Sequence, residues 1–173
     1  MILETARLTM REAEVEDAPF ILELLNAPGF IQGIGDRGVR DLDQARDYIE
    51  TRIIGSYRDH GFGMWVVTPK DAHEPIGLAG LVKRDVLPHV DLGYAFLERC
   101  WGRGYAQEAA MAVLGHARGP LGLETVAAIV NPDNLASRRV LEKTGFSFVD
   151  VRHLDGWAQP SAYYCARERP EGP

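Results

Sequence analysis

Two glycines, Gly102 and Gly104, stand where a strand-like run ends and a helix begins. The run extends from Val90 to Leu97, and apolar residues then recur at helical spacing, at Ala106, Ala110, Val113, Leu114 and Ala117. The first amides of a helix have no intrahelical acceptors and can bind an anion, and glycine lets the backbone approach that anion closely. The pattern therefore predicts a turn that binds phosphate, most naturally a pyrophosphate.

The same glycine pair is compatible with a simple tight turn, and it departs from the dinucleotide-binding fingerprint. That fingerprint needs a third small residue where this chain has Gln107. It also needs an acidic residue at the end of the next strand, whereas Glu124 precedes that strand. These departures disfavour a nicotinamide enzyme, although a nucleotide-binding enzyme of another fold remains a rival hypothesis.

Length and composition predict one domain, residues 1–166, followed by a loose C-terminal tail, residues 167–173. The 173 residues are 46% hydrophobic and 25% charged, and the net charge of −6 provides no general attraction to nucleic acid. We expect no membrane span, because no apolar run is long enough, and no metal site, because the histidines lack ligand spacing. Two cysteines, Cys100 and Cys165, make no disulfide framework, which favours the cytoplasm.

The first 60 residues predict a strand, a helix, a long loop and a second helix. Leu8–Arg11 alternates like a strand, and Asp17 is placed to cap a helix that runs through Leu25. Residues 26–40 contain four glycines and a proline, which is typical of a functional loop. Asp41 and Gln44 resemble a capping box for the helix that follows.

The remainder predicts a sheet. Three strand-like runs, 64–68, 75–82 and 89–97, have short connections and should be antiparallel. A helix then leads to strand 125–130, and such a crossover gives a parallel pair. Helix 134–144 and strands 146–152 and 161–166 follow. The predicted class is α/β of the mixed α+β type: a mostly antiparallel sheet with one parallel pair and helices on both faces.

Two linked motifs carry a resemblance to a known family. Arg99-x-x-Gly102-x-Gly104 resembles the pyrophosphate loop of the GNAT superfamily of N-acetyltransferases, and the segment from Asn131 to Phe146 is similar to the one that follows that family's fifth strand. The run from Tyr94 to Ala109 points to the branch that includes the ribosomal-protein alanine N-acetyltransferases. The resemblance covers most of the chain and implies an acyl-CoA N-acyltransferase fold in which the parallel pair splays apart.

The resemblance also implies how acetyl-CoA, as co-substrate, is bound. The pantetheine arm should lie between the splayed strands, with its thioester near Phe96 and Leu97. The loop should bind the pyrophosphate through Arg99, Trp101, Gly102, Arg103, Gly104, Tyr105 and Ala106. Contacts from the second motif are expected at Asn131, Asn134 and Ser137, where helix capping is an alternative or additional role.

For catalysis, the resemblance implies that Asp91 is the base that deprotonates the amine, directly or through water, with His89 as the second candidate. Many relatives carry a tyrosine acid where this chain has Leu141. The proton for the leaving thiolate must then come from Ser137, Tyr105 or a water. Cys100 lacks a nearby His–Asp pattern, so we expect a packing role and no acyl-enzyme.

The acceptor should be a primary amine of a small molecule or a protein N-terminus. We expect Asp36, Arg37 and Trp65 to contribute to its binding, although a surface ion pair would equally explain the first two. A non-catalytic acyl-CoA sensor of the same fold is the alternative function. Homodimer formation is left open by the sequence.

Overall fold

The computed structural model describes residues 1–167 and consists of one eight-stranded sheet with helices on both faces. The strand order is β1-β2-β3-β4-β5-β6-β8-β7, and every neighbouring pair is antiparallel except β5 and β6. The strands are β1 (Leu3–Glu4), β2 (Leu8–Arg11), β3 (Met64–Pro69), β4 (Gly77–Val82), β5 (Asp91–Phe96), β6 (Thr125–Val130), β7 (Ser147–Arg152) and β8 (Ser161–Arg167). This arrangement confirms the predicted fold class.

Within residues 1–167, six α-helices flank the sheet: α1 (Ala18–Asn26), α2 (Pro28–Gly33), α3 (Leu42–Tyr48), α4 (Gly55–His60), α5 (Tyr105–Arg118) and α6 (Leu135–Thr144). A π-helical stretch, Ile49–Ile54, joins α3 to α4 in one continuous helical run. None of the helices among residues 1–167 is both long and apolar enough to cross a membrane.

Two apolar clusters cover the two faces of the sheet, because side chains alternate along each strand. On one face Trp65 and Leu92 pack with Val113 of α5. On the other face Val66 and Leu78 pack with residues of α1, α3 and the π-helical stretch, among them Ile21, Leu24, Ala45 and Ile49. The sheet is therefore the middle layer, with α5 and α6 on one side and α1 to α4 on the other.

The parallel pair β5 and β6 is joined only at its beginning. Asp91 stands opposite Ala127, whose N–H donates to the Val90 carbonyl at 2.9 Å. Beyond this point the two strands diverge, while β6 remains paired with β8 along its whole length. The divergence leaves a cleft that is closed at Asp91 and open at Phe96.

Local chemistry explains where several elements begin. Asp41 caps α3 by accepting the Gln44 N–H at 2.8 Å, and the Gln44 side chain accepts the N–H of Arg40 at 2.7 Å. Asp17 occupies the cap position of α1, but its carboxylate accepts from the Arg11 guanidinium and the Glu14 N–H, so the predicted cap bond is absent. Both oxygens of the Asp17 carboxylate are directed at Arg11 and Glu14, and neither accepts from an amide of α1.

Element boundaries differ from the sequence prediction in a few places. The strands predicted from residues 75 and 89 begin at Gly77 and Asp91, and residues 26–40 contain the short helix α2 in place of a continuous loop. Strand β1, which has only two residues, was not predicted. Of the predicted C-terminal tail, Arg167 ends β8, and residues 168–173 lie outside the described part of the chain.

Candidate active site

The loop after β5 presents a row of unpaired amides. Gly102 and Gly104 adopt φ values of +77° and +79°, a left-handed conformation that glycine adopts without strain. Within residues 1–167, no acceptor lies opposite the backbone N–H groups of residues 102–107, and α5 begins among them. This cradle lies at the open end of the cleft, where the helix N-terminus favours an anion.

The indole of Trp101 folds back over the end of β5. Its Nε1–H donates to the Phe96 carbonyl at 2.8 Å, although the side chain remains 57% exposed. Helix α2 reaches the same place, because the Gly29 N–H donates to Glu98 at 2.5 Å. A Cβ on Gly29 would lie 2.5 Å from the Trp101 ring, so only glycine lets α2 approach so closely.

The other cofactor candidates on this side differ in what they contact. The Arg99 guanidinium pairs with Glu23 of α1 at 2.6 Å, and both side chains are about half exposed. Leu97 is buried against the α1–α4 side, whereas Phe96 packs with the cluster beneath α5. At the open end of the cleft, Phe96 therefore belongs to the apolar layer beneath α5 and Leu97 to the layer beneath α1–α4.

Across the cleft, the second motif forms the beginning of α6. The Asn134 side chain caps this helix by accepting the Ser137 N–H at 3.1 Å. The Asn131 side chain accepts the Asp133 N–H at 2.9 Å and shapes the turn that leads to the cap. Both asparagines therefore have the capping or turn role considered from the sequence, and both lie beside the open end of the cleft.

Tyr94 is a residue whose role the sequence did not indicate. Its phenol oxygen lies 2.6 Å from Ser137 Oγ and also donates to the Ser137 carbonyl at 3.3 Å, so it spans from β5 to α6. Burial raises the pKa of Tyr94 to about 12, against the opposing effect of the Ser137 hydrogen bond. The phenol therefore keeps its proton at neutral pH. Tyr94 could be noticed from the sequence because it lies in the first motif, but its partner Ser137 could be identified only from the three-dimensional structure.

Asp91 is nearly inaccessible, with 1% of its surface exposed at the closed end of the cleft. The Nε of Arg84 donates to its carboxylate at 3.1 Å. Burial raises the pKa of Asp91 to about 6, although Arg84 acts in the opposite direction. The carboxylate does not face Leu92 and Tyr94, because these two side chains alternate onto the opposite face of β5.

Arg84 was also absent from the sequence-based candidates. Its guanidinium lies between the Asp91 carboxylate and the Trp157 ring, whose centroid is 5.2 Å away. His89 precedes the first residue of β5 and is half-buried, so the two-residue strand period does not determine its direction. The structure consequently gives the Asp91 carboxylate an arginine neighbour.

The three acceptor candidates are not brought together. Trp65 is 2% exposed and packs edge-on against His116 of α5 at 5.3 Å, so it is a core residue on the face opposite α1. Asp36 forms an exposed ion pair with Arg40 at 2.5 Å, and Arg37 lies 6.0 Å from the Phe30 ring. The prediction for Trp65 is therefore wrong, because strand alternation directs its side chain toward α5.

The remaining polar candidates provide no nucleophile or metal centre. Cys100 is 9% exposed and packs in the apolar cluster beneath α5. Within the described residues, no three His, Cys, Asp or Glu side chains come together as a metal site. Cys100 is therefore a packing residue of the α5-side core.

Comparison with known proteins gives consistent results. The family model "Acetyltransferase (GNAT) domain" matches residues 7–147. The uncharacterized N-acetyltransferase YoaA of Bacillus subtilis (strain 168) is 30% identical, over 84% of this chain and 82% of that protein. An acetyltransferase structure from Agrobacterium tumefaciens strain C58 is 28% identical, with a TM-score of 0.80 over 96% of this chain and 94% of that one. RimL, a ribosomal-protein alpha-N-acetyltransferase solved with coenzyme A, shares the fold, with a TM-score of 0.81 at 18% identity and coverage of 96% and 97%.

Proposed function

We infer the roles of individual residues from one premise, which is that this chain belongs to the GNAT acetyltransferase family. It is an N-acetyltransferase, and it transfers an acetyl group to an amine. Membership of the family excludes the rival hypothesis of a nucleotide-binding enzyme with another fold. The identity of the acyl donor, the acceptor and the catalytic groups is our proposal.

The proposed donor is acetyl-CoA. The observation that carries this proposal is the combination of a cleft between β5 and β6 with a row of free amides at its open end. The amides of residues 102–106 would bind the pyrophosphate, assisted by Arg103 and by Arg99 once its guanidinium leaves Glu23. Because β5 is paired with β4 on one side but has no pairing with β6 beyond Asp91, its peptide groups that face β6 are available to pair with the amides of a pantetheine arm.

Several further contacts follow from this placement of the donor. Phe96 and Leu97 would lie beside the thioester, and Trp101 and Tyr105 would flank the phosphates. Asn131, Asn134 and Ser137 would approach the donor from α6, with Asn134 also capping the helix. In this arrangement the acetyl carbonyl lies between β5 and the first turn of α6.

The amine must lose a proton before it attacks, since an α-amino group has a pKa near ~8 and a lysine near ~10. We propose that Asp91 accepts this proton through one or more waters, because its carboxylate lies at the closed end of the cleft. A pKa of about 6 suits a base that works at neutral pH. His89, half-buried two residues earlier, is the second candidate.

The thiolate of CoA must gain a proton as it leaves. We propose that Ser137 donates this proton and that Tyr94, 2.6 Å away, replaces it or orients the hydroxyl. Transfer is direct, in a ternary complex of donor, acceptor and protein. Cys100 takes no part, because its thiol is buried in the apolar layer beneath α5.

The proposed acceptor is a primary amine of a small molecule or of a protein N-terminus. It would enter on the α1–α4 side of the sheet, beside α2 and residues 34–41. Arg37 is the candidate there for binding an acceptor carboxylate, and Asp36 is a weaker candidate because Arg40 neutralises it.

The test is a thioester-consumption assay with acetyl-CoA and a panel of amines. The panel should contain a peptide with a free N-terminus, a polyamine, an aminoglycoside and an amino acid, with the N-acetylated peptide as the matched control. Turnover that requires a free amine supports the proposal. Tight binding of CoA without turnover of any amine would favour the acyl-CoA sensor.

Two further features bear on assembly and location. Strand β7 is the edge of the sheet, and its exposed side chains include Phe148, Val149 and Val151. We propose this edge as the contact of a homodimer, since an open edge pairs readily with a second strand, and light scattering would measure the mass. Both cysteines, Cys100 and Cys165, are free in the described chain, which supports the cytoplasm as the location.

A further inference from the structure

The turn between β1 and β2 lies against the outer side of the amide cradle. Arg7 of this turn donates from Nε to one carboxylate oxygen of Glu108 at 2.7 Å and from its backbone N–H to the other at 3.0 Å. Its Nη1 donates to the Arg103 carbonyl at 2.9 Å. The guanidinium also stacks over the Tyr105 ring, 4.6 Å from the centroid. We call these four contacts the Arg7 clamp.

The clamp contacts the part of the loop whose backbone is most flexible. Arg103 lies between Gly102 and Gly104, and glycine loses more backbone freedom on ordering than any other residue. The Arg7 contacts restrain the peptide between the two glycines and the first turn of α5. They do so from outside, because none of them uses an amide of residues 102–107.

The clamp also balances a charge that would oppose phosphate binding. Glu108 lies in the first turn of α5, near the free amides. Burial raises its pKa, but hydrogen bonds from Thr5 and Arg7 outweigh that effect and lower the pKa below the usual value. The carboxylate is therefore ionised, and the Arg7 guanidinium, 2.7 Å away, compensates its charge.

We propose that Arg7 is a positioning residue for the acyl donor, which holds the cradle in its binding conformation before the pyrophosphate arrives. This proposal rests on the proposed acetyl-CoA site. A preorganised site binds more tightly because the ordering cost is already met in the free protein. The binding of the phosphate-bearing part of the donor should therefore depend on the clamp, whereas the chemical step should not.

The experiment measures steady-state kinetics with two donors, acetyl-CoA and S-acetylpantetheine, which lacks the pyrophosphate together with the rest of the nucleotide. In Arg7→Ala we expect the KM for acetyl-CoA to rise about tenfold or more, with kcat at saturation within about twofold of wild type. The kcat/KM for S-acetylpantetheine should stay within about twofold. Equal losses with both donors would show general damage and overturn the proposal.

Two further variants separate geometry from charge. Arg7→Lys keeps the charge but cannot reach Glu108 and the Arg103 carbonyl together, so we expect nearly the same rise in KM as for alanine. A lysine variant with wild-type KM would overturn the clamp in favour of simple charge attraction. Glu108→Gln, which leaves the Arg103 contact, should weaken acetyl-CoA binding less than Arg7→Ala.

The matched control is Arg46→Ala, since Arg46 also forms an exposed arginine–carboxylate pair, with Asp43 at 2.9 Å, but on α3. Arg46→Ala should leave the kinetic constants for both donors unchanged. If wild type itself does not bind CoA by calorimetry, the proposed acetyl-CoA site fails together with the clamp. If wild type binds CoA and Arg7→Ala binds it equally well, the clamp alone is wrong.

Discussion

The phenol oxygen of Tyr94 lies 2.6 Å from the hydroxyl oxygen of Ser137, and this contact bridges the cleft between β5 and α6. The two residues are 43 positions apart in the chain and meet because β5 and β6 diverge while α6 folds back over the opening. A hydroxyl pair in this position can provide and replace a proton. It can also hold the cleft at a fixed width.

The pair predicts coupled effects of mutation. Ser137→Ala should lower kcat by roughly 100-fold if the hydroxyl protonates the thiolate. Tyr94→Phe should lower it less, and the double variant should lose little beyond Ser137→Ala because both residues act in one step. Tyr48→Phe, which alters a half-buried tyrosine on α3, is the control. Strictly additive losses in kcat would contradict a shared role.

Asp91→Asn tests the proposed base. We expect kcat/KM at neutral pH to fall by roughly two to four orders of magnitude, with CoA affinity almost unchanged because the cradle is untouched. Wild-type activity should decline as the pH falls below about 6, since the carboxylate is then protonated. The deficit of the variant should shrink at high pH, where the amine is already neutral. Near wild-type rates at neutral pH would transfer the role to His89 or to solvent.

The same carboxylate predicts how stability depends on pH. The folded chain raises the pKa of Asp91 from 3.8 to about 6, so the folded state binds more protons than the unfolded state between these values. Wild type should therefore lose stability relative to Asp91→Asn as the pH rises through both values, by roughly 3 kcal/mol in total between about pH 3 and about pH 7. Urea unfolding of both proteins across this range measures the difference. A difference that does not change with pH would contradict the raised pKa.

Gly104→Val tests the amide cradle. Its φ of +79° strains any side chain, and a Cβ there would lie 3.4 Å from the Arg7 guanidinium. We expect the Kd for CoA to rise about tenfold or more while the fold is retained, because the site is a surface turn. Gly122→Ala is the matched control, since Gly122 also has a positive φ, +63°, but nothing lies within 4 Å of its Cβ position. Equal CoA affinity in Gly104→Val and wild type would exclude the assignment.

Cys100→Ala distinguishes direct transfer from an acyl-enzyme route. We expect most of the turnover to be retained, with a modest loss of stability from the small cavity in the α5-side core. Initial-rate patterns should intersect, as a ternary complex requires. Ping-pong kinetics, or a stable acetyl group on Cys100 detected by mass spectrometry, would overturn direct transfer.

Local patterns in the sequence were sufficient for most elements. The strand at residues 125–130 and the helix capped by Asn134 could be predicted because alternation, helical spacing and capping act over a few neighbouring residues. The glycine pair was informative for the same reason, since positive φ values at Gly102 and Gly104 are a local requirement. The two motifs in order then pointed to the family, which the family model confirmed.

Contacts between segments that are far apart in the chain could not be predicted from those local patterns. The sequence singled out Asp91, but its partner Arg84 depends on the turn between β4 and β5, and the Arg7 clamp depends on which edge of the sheet β1 and β2 occupy. The direction of Trp65 required knowing which helix covers which face, so strand alternation alone could not decide it.

The sequence by itself determined most of the order of elements, the glycine turn that precedes α5 and the family, because each is encoded in short-range spacing. Only the tertiary structure decided that β5 and β6 part after Asp91, that Tyr94 meets Ser137 across the opening, and that Arg7 holds the loop from outside. The physical reason is that these contacts join segments far apart in the chain. Their distances are set by packing of the whole sheet between its two helical layers.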